Sequence, residues 1–461
     1  MSRLVVVSNR VALPGESQAG GLAVGLQAAL EARGGLWFGW SGKTTREDSG
    51  RLHEVAERGI RYVTMDLSRQ DLAAYYNGFA NRTLWPLFHF RLDLVDYARE
   101  TREGYRRVNR LFADRLAPLL RGDDLVWIHD YHLIPLAAML RERGIGCRIG
   151  FFLHVPMPSA DLFAALPDHG RLFEAFHACD LVGFQTGRDA ERFRSYARIF
   201  GGAALGEDGA LLLPDGRTLR VGAFPIGIDT GRIVAQAAAA KSKPAVRKLQ
   251  ASLGGRKLAI GVDRLDYSKG MPERFRSFSR YLERYPEERG RLTFLQIAPV
   301  SRGEVPEYQL LRDQLEGIAG RINGTHADPE WTPLRYVNRN FAHATLTGFY
   351  RLSAIGVVTP LRDGMNLVAK EYVASQDPAD PGVLILSMLA GAADELRDAL
   401  LVNPHDLDGV ADAFALAARM PLAERRERWE AMMQPILRND IHAWCATFLE
   451  SLQAMRSAAV R

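Results

Sequence analysis

The sequence predicts an α/β protein made of two doubly wound domains, each a parallel sheet covered by helices. Three observations carry that expectation. The chain has 461 residues, more than one hydrophobic core organises. Short, nearly continuous apolar runs alternate with longer helical patterns, as in strands buried on both faces. The runs also fall into two sets. Leu4–Val7, Leu125–Ile128, Ile149–His154 and Leu181–Phe184 form the first, and Leu258–Val262, Leu292–Ala298, Ile355–Thr359 and Val383–Leu386 the second. Between them lie Pro225-Ile226-Gly227-Ile228-Asp229 and an alanine- and lysine-rich helical segment over Thr230–Leu253. The domain junction is placed there.

Composition narrows the class. Hydrophobic residues make up 47% and charged residues 25%, near the averages of soluble globular chains. No basic segment with a long apolar stretch opens the chain, and no apolar run suits a bilayer span, so a cytoplasmic location is expected. The net charge of +5 is spread among acids without a basic tract, so nucleic acid and membrane are not expected partners. Cys147, Cys179 and Cys445 show no CxxC spacing, which argues against a disulfide framework or zinc ribbon.

In doubly wound sheets ligands bind beyond the carboxyl ends of the strands, so the loops there are the places to seek chemistry. Two such domains facing each other would form a cleft for two substrates. After the first strand come Ser8-Asn9-Arg10 and then Gly20-Gly21-Leu22 at a helix start. Paired glycines there admit a phosphate to backbone N–H groups, although a plain turn is the commoner explanation of such a pair. Leu125–Ile128 ends in His129-Asp130-Tyr131-His132. Two histidines and a carboxylate suit either a metal or a sugar hydroxyl, and no further strong ligand is nearby. Alternation along an extended segment would put Asp130 and His132 on one side, His129 and Tyr131 on the other. Prolines hold His154 at the tip of the next strand.

In the second half, Arg264 and Lys269 sit five residues apart in a loop, a spacing that suits a diphosphate or, equally, internal pairing with Asp263 and Asp266. Arg302 follows another strand. Asp363 precedes a helix whose start suits a phosphate, and Glu371 lies two turns along; a helix cap is the ordinary role for such an aspartate.

Together these segments resemble the trehalose-6-phosphate synthases, retaining glycosyltransferases of two Rossmann-like domains (the GT-B architecture). The resemblance covers essentially the whole chain. It rests on SNR with AGGLAVGL, LWFGWSG, NRTLWPLFHFR, WIHDYHL, FFLHVPMP, VDRLDYSKGMPERF, IAPVSRG and TPLRDGMNLVAKEY, in that order. It implies an acceptor-binding domain over 1–226 joined by a C-terminal helix at 441–461, and a nucleotide-sugar-binding domain over 227–440. Arg10, Tyr76 and Arg302 would clamp the acceptor's phosphate, with Trp40, Trp85 and Asp130 lining its sugar. Gly21 and Leu22 would close over the donor, Arg264 and Lys269 grip its diphosphate, and His154 and Asp363 hold its sugar hydroxyls. Asn340 and Phe341 would border the base and Glu371 bond the ribose. Gly364 and Met365 lead to the backbone N–H groups of Asn366, Leu367 and Val368, which receive the phosphates.

The implied reaction joins glucose from UDP-glucose, or another nucleotide glucose, to glucose 6-phosphate with retention. Asp130, His154, Arg264, Lys269 and Asp363 would serve the chemistry. No carboxylate is free to act as nucleophile, so front-face attack is expected, in which the departing phosphate oxygen takes the acceptor's proton. No cofactor and no metal are expected, because Arg264 and Lys269 take the neutralising role. A homo-oligomer is expected, as is a separate phosphatase for the product. The competing readings are a synthase for another acceptor such as glycerol 3-phosphate or a cyclitol, a nucleotide-sugar epimerase, and a non-catalytic sensor. The glycine-rich stretch from Phe200 to Val221 is assigned no role.

Overall fold

The structure, a computed structural model, describes residues 2–15, 21–46, 50–300 and 306–455. The chain divides into two compact units, Met1–Ile226 with Ile441–Arg461, and Gly227–Asp440. Each is a sheet covered by helices.

Among the described residues the first unit holds ten strands: β1 (Leu4–Arg10), β2 (Gly35–Thr45), β3 (Leu52–Glu57), β4 (Ile60–Ser68), β5 (Leu125–His129), β6 (Arg148–Leu153), β7 (Leu181–Phe184), β8 (Ala204–Leu205), β9 (Leu211–Leu212) and β10 (Thr218–Ala223). Their order is β3-β4-β2-β1-β5-β6-β7-β10-β9-β8. From β4 to β10 all neighbours run parallel. The outer pairings, β3 on β4 and β8 and β9 beyond β10, are antiparallel. β5 and β7 are buried throughout, which is why their sequences are apolar without alternation. β3 is exposed along its length and carries Glu54 and Glu57, charges that discourage pairing at a sheet edge. The stretch without a role, Phe200 to Val221, supplies the β8–β10 meander. Strand order reverses beside β1, whose neighbours are β2 and β5; the loops after β1 and β5 therefore border a crevice.

The second unit is a six-stranded, wholly parallel sheet of β11 (Lys257–Val262), β12 (Leu292–Ile297), β13 (Leu334–Val337), β14 (Ile355–Val358), β15 (Val383–Ser387) and β16 (Leu400–Val402). Its order is β13-β12-β11-β14-β15-β16. Here the reversal lies between β11 and β14, beneath the loops that carry Lys269 and Asp363. The helical segment expected over Thr230–Leu253 is two helices, Thr230–Ala240 and Pro244–Ser252. Pro244 breaks it: proline fits the first turn of a helix but lacks the N–H an interior position needs.

The helix Ile441–Gln453 packs within the first unit. Phe448 stacks on Trp127 with centroids 4.7 Å apart, and Trp444 lies 4.9 Å from the same ring. Gly150 and Gly183, on adjacent strands, make room for Phe448: a Cβ on either would fall within 2.8 Å of its ring. All three cysteines are buried and form no disulfide. Burial pushes the Cys147 thiol up to about 11, far from the range of a reactive thiolate. No helix among the described residues is long and apolar enough to cross a membrane.

Candidate active site

In the first unit the side chains gather at the carboxyl ends of β1, β2 and β5. Arg10 ends β1 in register with Trp40 on β2. Its guanidinium lies across Gly42, where a Cβ would sit 2.7 Å from Arg10 Nε and where φ is +86°. A side chain at 42 would displace the arginine. Trp40 donates its Nε1–H to the Lys43 carbonyl at 2.7 Å and packs on Tyr76, with ring centroids 5.8 Å apart. Tyr76 projects from a wide, π-type helix, Leu72–Leu84, a geometry that recurs at functional sites. Its ring stacks on His132 at 5.7 Å and 13°. Tyr131, the next residue back, packs on the buried Trp85 at 5.7 Å. Arg10, Trp40, Tyr76 and Trp85 are thus joined through His132 and Tyr131.

The expected alternation at His129–His132 stops at His129. Asp130 turns the chain with φ +75° and ψ 165°, and Tyr131–Leu133 form a short 3₁₀ turn. That backbone region is essentially restricted to glycine and costs about 1–3 kcal/mol for another residue. Three bonds hold it. Asp130 N–H donates to the Phe152 carbonyl at 2.8 Å, Leu133 N–H donates to the Asp130 carbonyl at 3.0 Å, and His154 N–H donates to Asp130 Oδ1 at 3.3 Å. His129 and His132 point into different surroundings, and no group of three His, Cys, Asp or Glu among the described residues is placed to hold a metal.

His154 is oriented by a chain of hydrogen bonds. Gln185 Oε1 accepts from the Ile226 N–H at 2.9 Å. That bond assigns the amide, so Gln185 Nε2 donates to His154 Nδ1 across 3.2 Å. His154 Nε2 then carries hydrogen and faces His129 Nδ1 at 3.1 Å. Burial drives the His154 pKa down to about 3; the same cause, with the neighbouring His154, holds His129 well below its usual value. Both rings are neutral. The sequence did not single out Gln185, since a glutamine after a strand carries no distinguishing signal.

In the second unit Lys269 pairs directly with Asp363, and both side chains are mostly enclosed. Asn366 Nδ2 donates to the same Asp363 oxygen at 3.1 Å. Asn366 is the residue before the helix Leu367–Ser375, with φ +77° and no side-chain cap to that helix. Asp363 is therefore not the helix cap, and the N–H groups of Leu367 and Val368 open the helix uncapped, as an anion site requires. The turn at Gly391–Asp394 supports this loop: Gly391 N–H donates to the Asp363 carbonyl at 3.2 Å and Ala392 N–H to the Met365 carbonyl at 2.8 Å. Arg264 is half-exposed, its Nε 3.9 Å from Asp266. Asp263 pairs elsewhere.

Its partner is Arg274, only 1% exposed. Arg274 donates to Asp263 Oδ2 at 2.7 Å, Gln296 Oε1 at 2.9 Å, Thr359 Oγ1 at 2.9 Å and the Lys269 carbonyl at 3.1 Å. One guanidinium thus ties the ends of β11, β12 and β14 to the lysine loop. The sequence held a signal for it. Met271, Arg274, Phe275, Phe278 and Leu282 form the buried face of the helix Met271–Arg284, so the arginine interrupts an apolar stripe.

Phe341 follows β13 and packs on Phe349 at 5.3 Å, with the Arg339 guanidinium over its ring at 4.6 Å; Asn340 beside it is exposed. Glu371, 14% exposed, lies 3.4 Å from His343. Gly21 and Leu22 begin the helix Gly21–Arg33. Gly20 and Arg302 lie outside the described residues.

The chain is 51% identical over 460 residues to the trehalose-6-phosphate synthase of Sinorhizobium fredii (strain NGR234), covering 98% of this chain and 99% of that one. Solved structures share the fold. The UDP-forming α,α-trehalose-phosphate synthase of Burkholderia xenovorans in complex with glucose-6-phosphate matches with a TM-score of 0.95 and 48% identity, over 98% of this chain and 100% of that one. The Escherichia coli trehalose-6-phosphate protein bound with UDP-2-fluoro glucose matches with a TM-score of 0.94 and 49% identity, over 99% and 100%. The model of glycosyltransferase family 20 matches residues 5–454, and the chain belongs to that family.

Proposed function

We propose that this glycosyltransferase moves glucose from UDP-glucose to the anomeric hydroxyl of glucose 6-phosphate, with retention, releasing UDP and forming α,α-trehalose 6-phosphate. The observation that carries the reading is the match, near half identity and full length, to a synthase solved with glucose-6-phosphate and to a protein solved with a UDP-glucose analogue.

The site is read accordingly. Arg10, Tyr76 and Arg302 clamp the acceptor's phosphate, since guanidinium groups bind it through paired N–H donors. Trp40 and Trp85 give its sugar apolar walls, and Asp130 accepts from a hydroxyl. Arg264, Lys269 and the N–H groups at Asn366, Leu367 and Val368 neutralise the departing diphosphate. Gly21 and Leu22 cover it. Asp363 and His154 bond the donor glucose, with His154 as a neutral Nε2–H donor that must exchange His129 for the sugar. Asn340 and Phe341 border the base, Gly364 and Met365 shape the loop, and Glu371 takes the ribose. Lys269 and Asp363 neutralise each other in the structure. A diphosphate drawing the ammonium toward itself leaves the carboxylate free to accept sugar hydroxyls.

In the transfer, the bond from the glucose anomeric carbon to the phosphate oxygen breaks and a bond to the acceptor's anomeric oxygen forms on the same face. The acceptor's proton passes to the leaving phosphate oxygen. Lys269 and Arg264 stabilise the charge that builds there, and no metal is assigned a step. A trapped glycosyl-enzyme on Asp130 or Asp363 would overturn this order of events. A cytoplasmic setting, a homo-oligomeric state and a separate phosphatase acting on the product complete the proposal.

The test is incubation with glucose 6-phosphate and UDP-, ADP- or GDP-glucose, following nucleotide release and product mass. Release from UDP-glucose with a trehalose 6-phosphate product is expected. Release with glycerol 3-phosphate but not glucose 6-phosphate would sink the acceptor assignment. Arg10→Ala should raise the KM for glucose 6-phosphate at least about tenfold and leave that for UDP-glucose within about twofold, as loss of one charged phosphate contact implies.

A further inference from the structure

Three helices of the second unit bring one residue each to a single point. Glu371 comes from Leu367–Ser375, His343 opens His343–Leu352, and Gln236 lies on Thr230–Ala240. His343 Nε2 is 3.4 Å from Glu371 Oε1, and His343 Nδ1 is 3.1 Å from Gln236 Oε1. The ring therefore stands between an amide and the carboxylate.

Hydrogen-bond chemistry fixes what it can do there. An ionised carboxylate only accepts, so the Nε2 facing Glu371 carries hydrogen. Gln236 can serve either state of the other nitrogen: its amide oxygen accepts from a protonated Nδ1, or, turned over, its NH₂ donates to a bare one. His343 thus presents an N–H to Glu371 whether neutral or charged. Glu371 has three rotatable side-chain bonds, and holding one carboxylate oxygen restricts the direction of the other before any ligand arrives. The backbone below is also pinned, with Ser375 Oγ donating to the Glu371 carbonyl at 2.7 Å.

We infer that His343 is a positioning residue for recognition of the nucleotide's ribose, holding Glu371 so that its free oxygen accepts the ribose hydroxyls. The inference rests on the reading of Glu371 as the ribose carboxylate. It gives the loop at Asn340 and Phe341 a second task. His343 follows Phe341 by two residues, so one short segment borders the base and orients the group that holds the sugar beside it.

The experiment compares UDP with 2′,3′-dideoxy-UDP as competitive inhibitors against UDP-glucose, in the wild type and in the variants H343A, H343Q and E371A. The wild type should favour UDP, and E371A should lose that preference. H343A should lose about fivefold of it, the scale of one hydrogen bond to a charged group. Its KM for UDP-glucose should rise in step, while that for glucose 6-phosphate holds. H343Q, whose amide can still donate to Glu371, should recover most of the preference. If E371A keeps the full preference, the ribose reading itself fails. If E371A loses it and H343A does not, His343 has no positioning role. If H343A loses it and H343Q fails to recover it, the ring's bulk rather than its N–H matters, and the proposal is equally overturned.

Discussion

Asp130 shows how much a single residue can hide from its own sequence. The stretch His129-Asp130-Tyr131-His132 marks it as a candidate, but nothing there announces a backbone at φ +75° and ψ 165°, because glycine is what ordinarily signals that conformation. Aspartate tolerates positive φ better than most residues, and the strain persists because three bonds around it hold the turn. Strain and carboxylate can be separated by two substitutions. Both Asp130→Gly and Asp130→Ala delete the side chain that His154 N–H meets, and both should cost nearly all glucosyl transfer. Only glycine relieves the backbone. Asp130→Gly should therefore be more stable than Asp130→Ala by about 1–2 kcal/mol in chemical denaturation. Equal stability would show that the turn is unstrained. Arg274 left only the trace of an arginine interrupting an apolar stripe. Its charge reads as solvated from residue type alone, and only the meeting of three strand ends supplies the acceptors that let it be buried.

At the scale of elements, legibility followed unbroken apolar runs rather than burial alone. Eight strands were readable because burial on two faces leaves a continuous apolar run, as in Leu125–His129 and Leu292–Ile297. By contrast β2 and β4, inner and mostly buried, were missed because glycine and polar residues interrupt their runs. The outer strands were not readable either. Leu52–Glu57 is wholly exposed and Leu334–Val337 mostly half-buried, so neither shows a core-facing signature. The helix over Leu72–Leu84 was invisible as a wide helix, since a 3.6-residue period does not describe it. Supporting elements were equally silent, and Gly391 is the clearest instance. A Cβ there would overlap the Gly364 carbonyl, in the loop that carries Asp363. Gly391→Ala must displace that loop, and with it Asp363, the partner of Lys269. It should destabilise the protein by about 1–3 kcal/mol, the range for overpacking, and raise the KM for UDP-glucose more than that for glucose 6-phosphate. Gly320→Ala is the contrast, in a helix with nothing within 4 Å of the new Cβ. It should stabilise by about 0.5–1 kcal/mol and leave both constants alone. Similar effects from the two would remove the packing argument.

For the whole molecule, the apolar-run pattern sufficed for the fold class, but no periodicity shows where a late helix will dock. Residues 441–453 join strands far earlier in the chain because Gly150 and Gly183 leave a groove for Phe448. That docking has an electrostatic consequence. Trp444 covers His129 and His154, with ring centroids 6.4 and 6.0 Å away. The groups facing the two imidazoles are each other, the Gln185 amide and, from the backbone side, Asp130. Burial lowers both histidine pKa values from 6.5, that of His154 to about 3. Between those limits the unfolded chain binds protons that the folded chain refuses, so stability rises with pH across that window and falls as pH drops below about 6.5. His177 and His326 are also lowered by burial and add to the slope, so the wild type alone cannot apportion it. His154→Asn can. Removing one titrating site should reduce the acid dependence of the unfolding free energy by up to about one proton between about pH 6 and pH 4. Denaturant titrations at several pH values read that slope directly. An unchanged slope would mean that His154 titrates alike in the folded and unfolded chains, and that the hydrogen-bond chain from Ile226 through Gln185 does not hold the ring neutral.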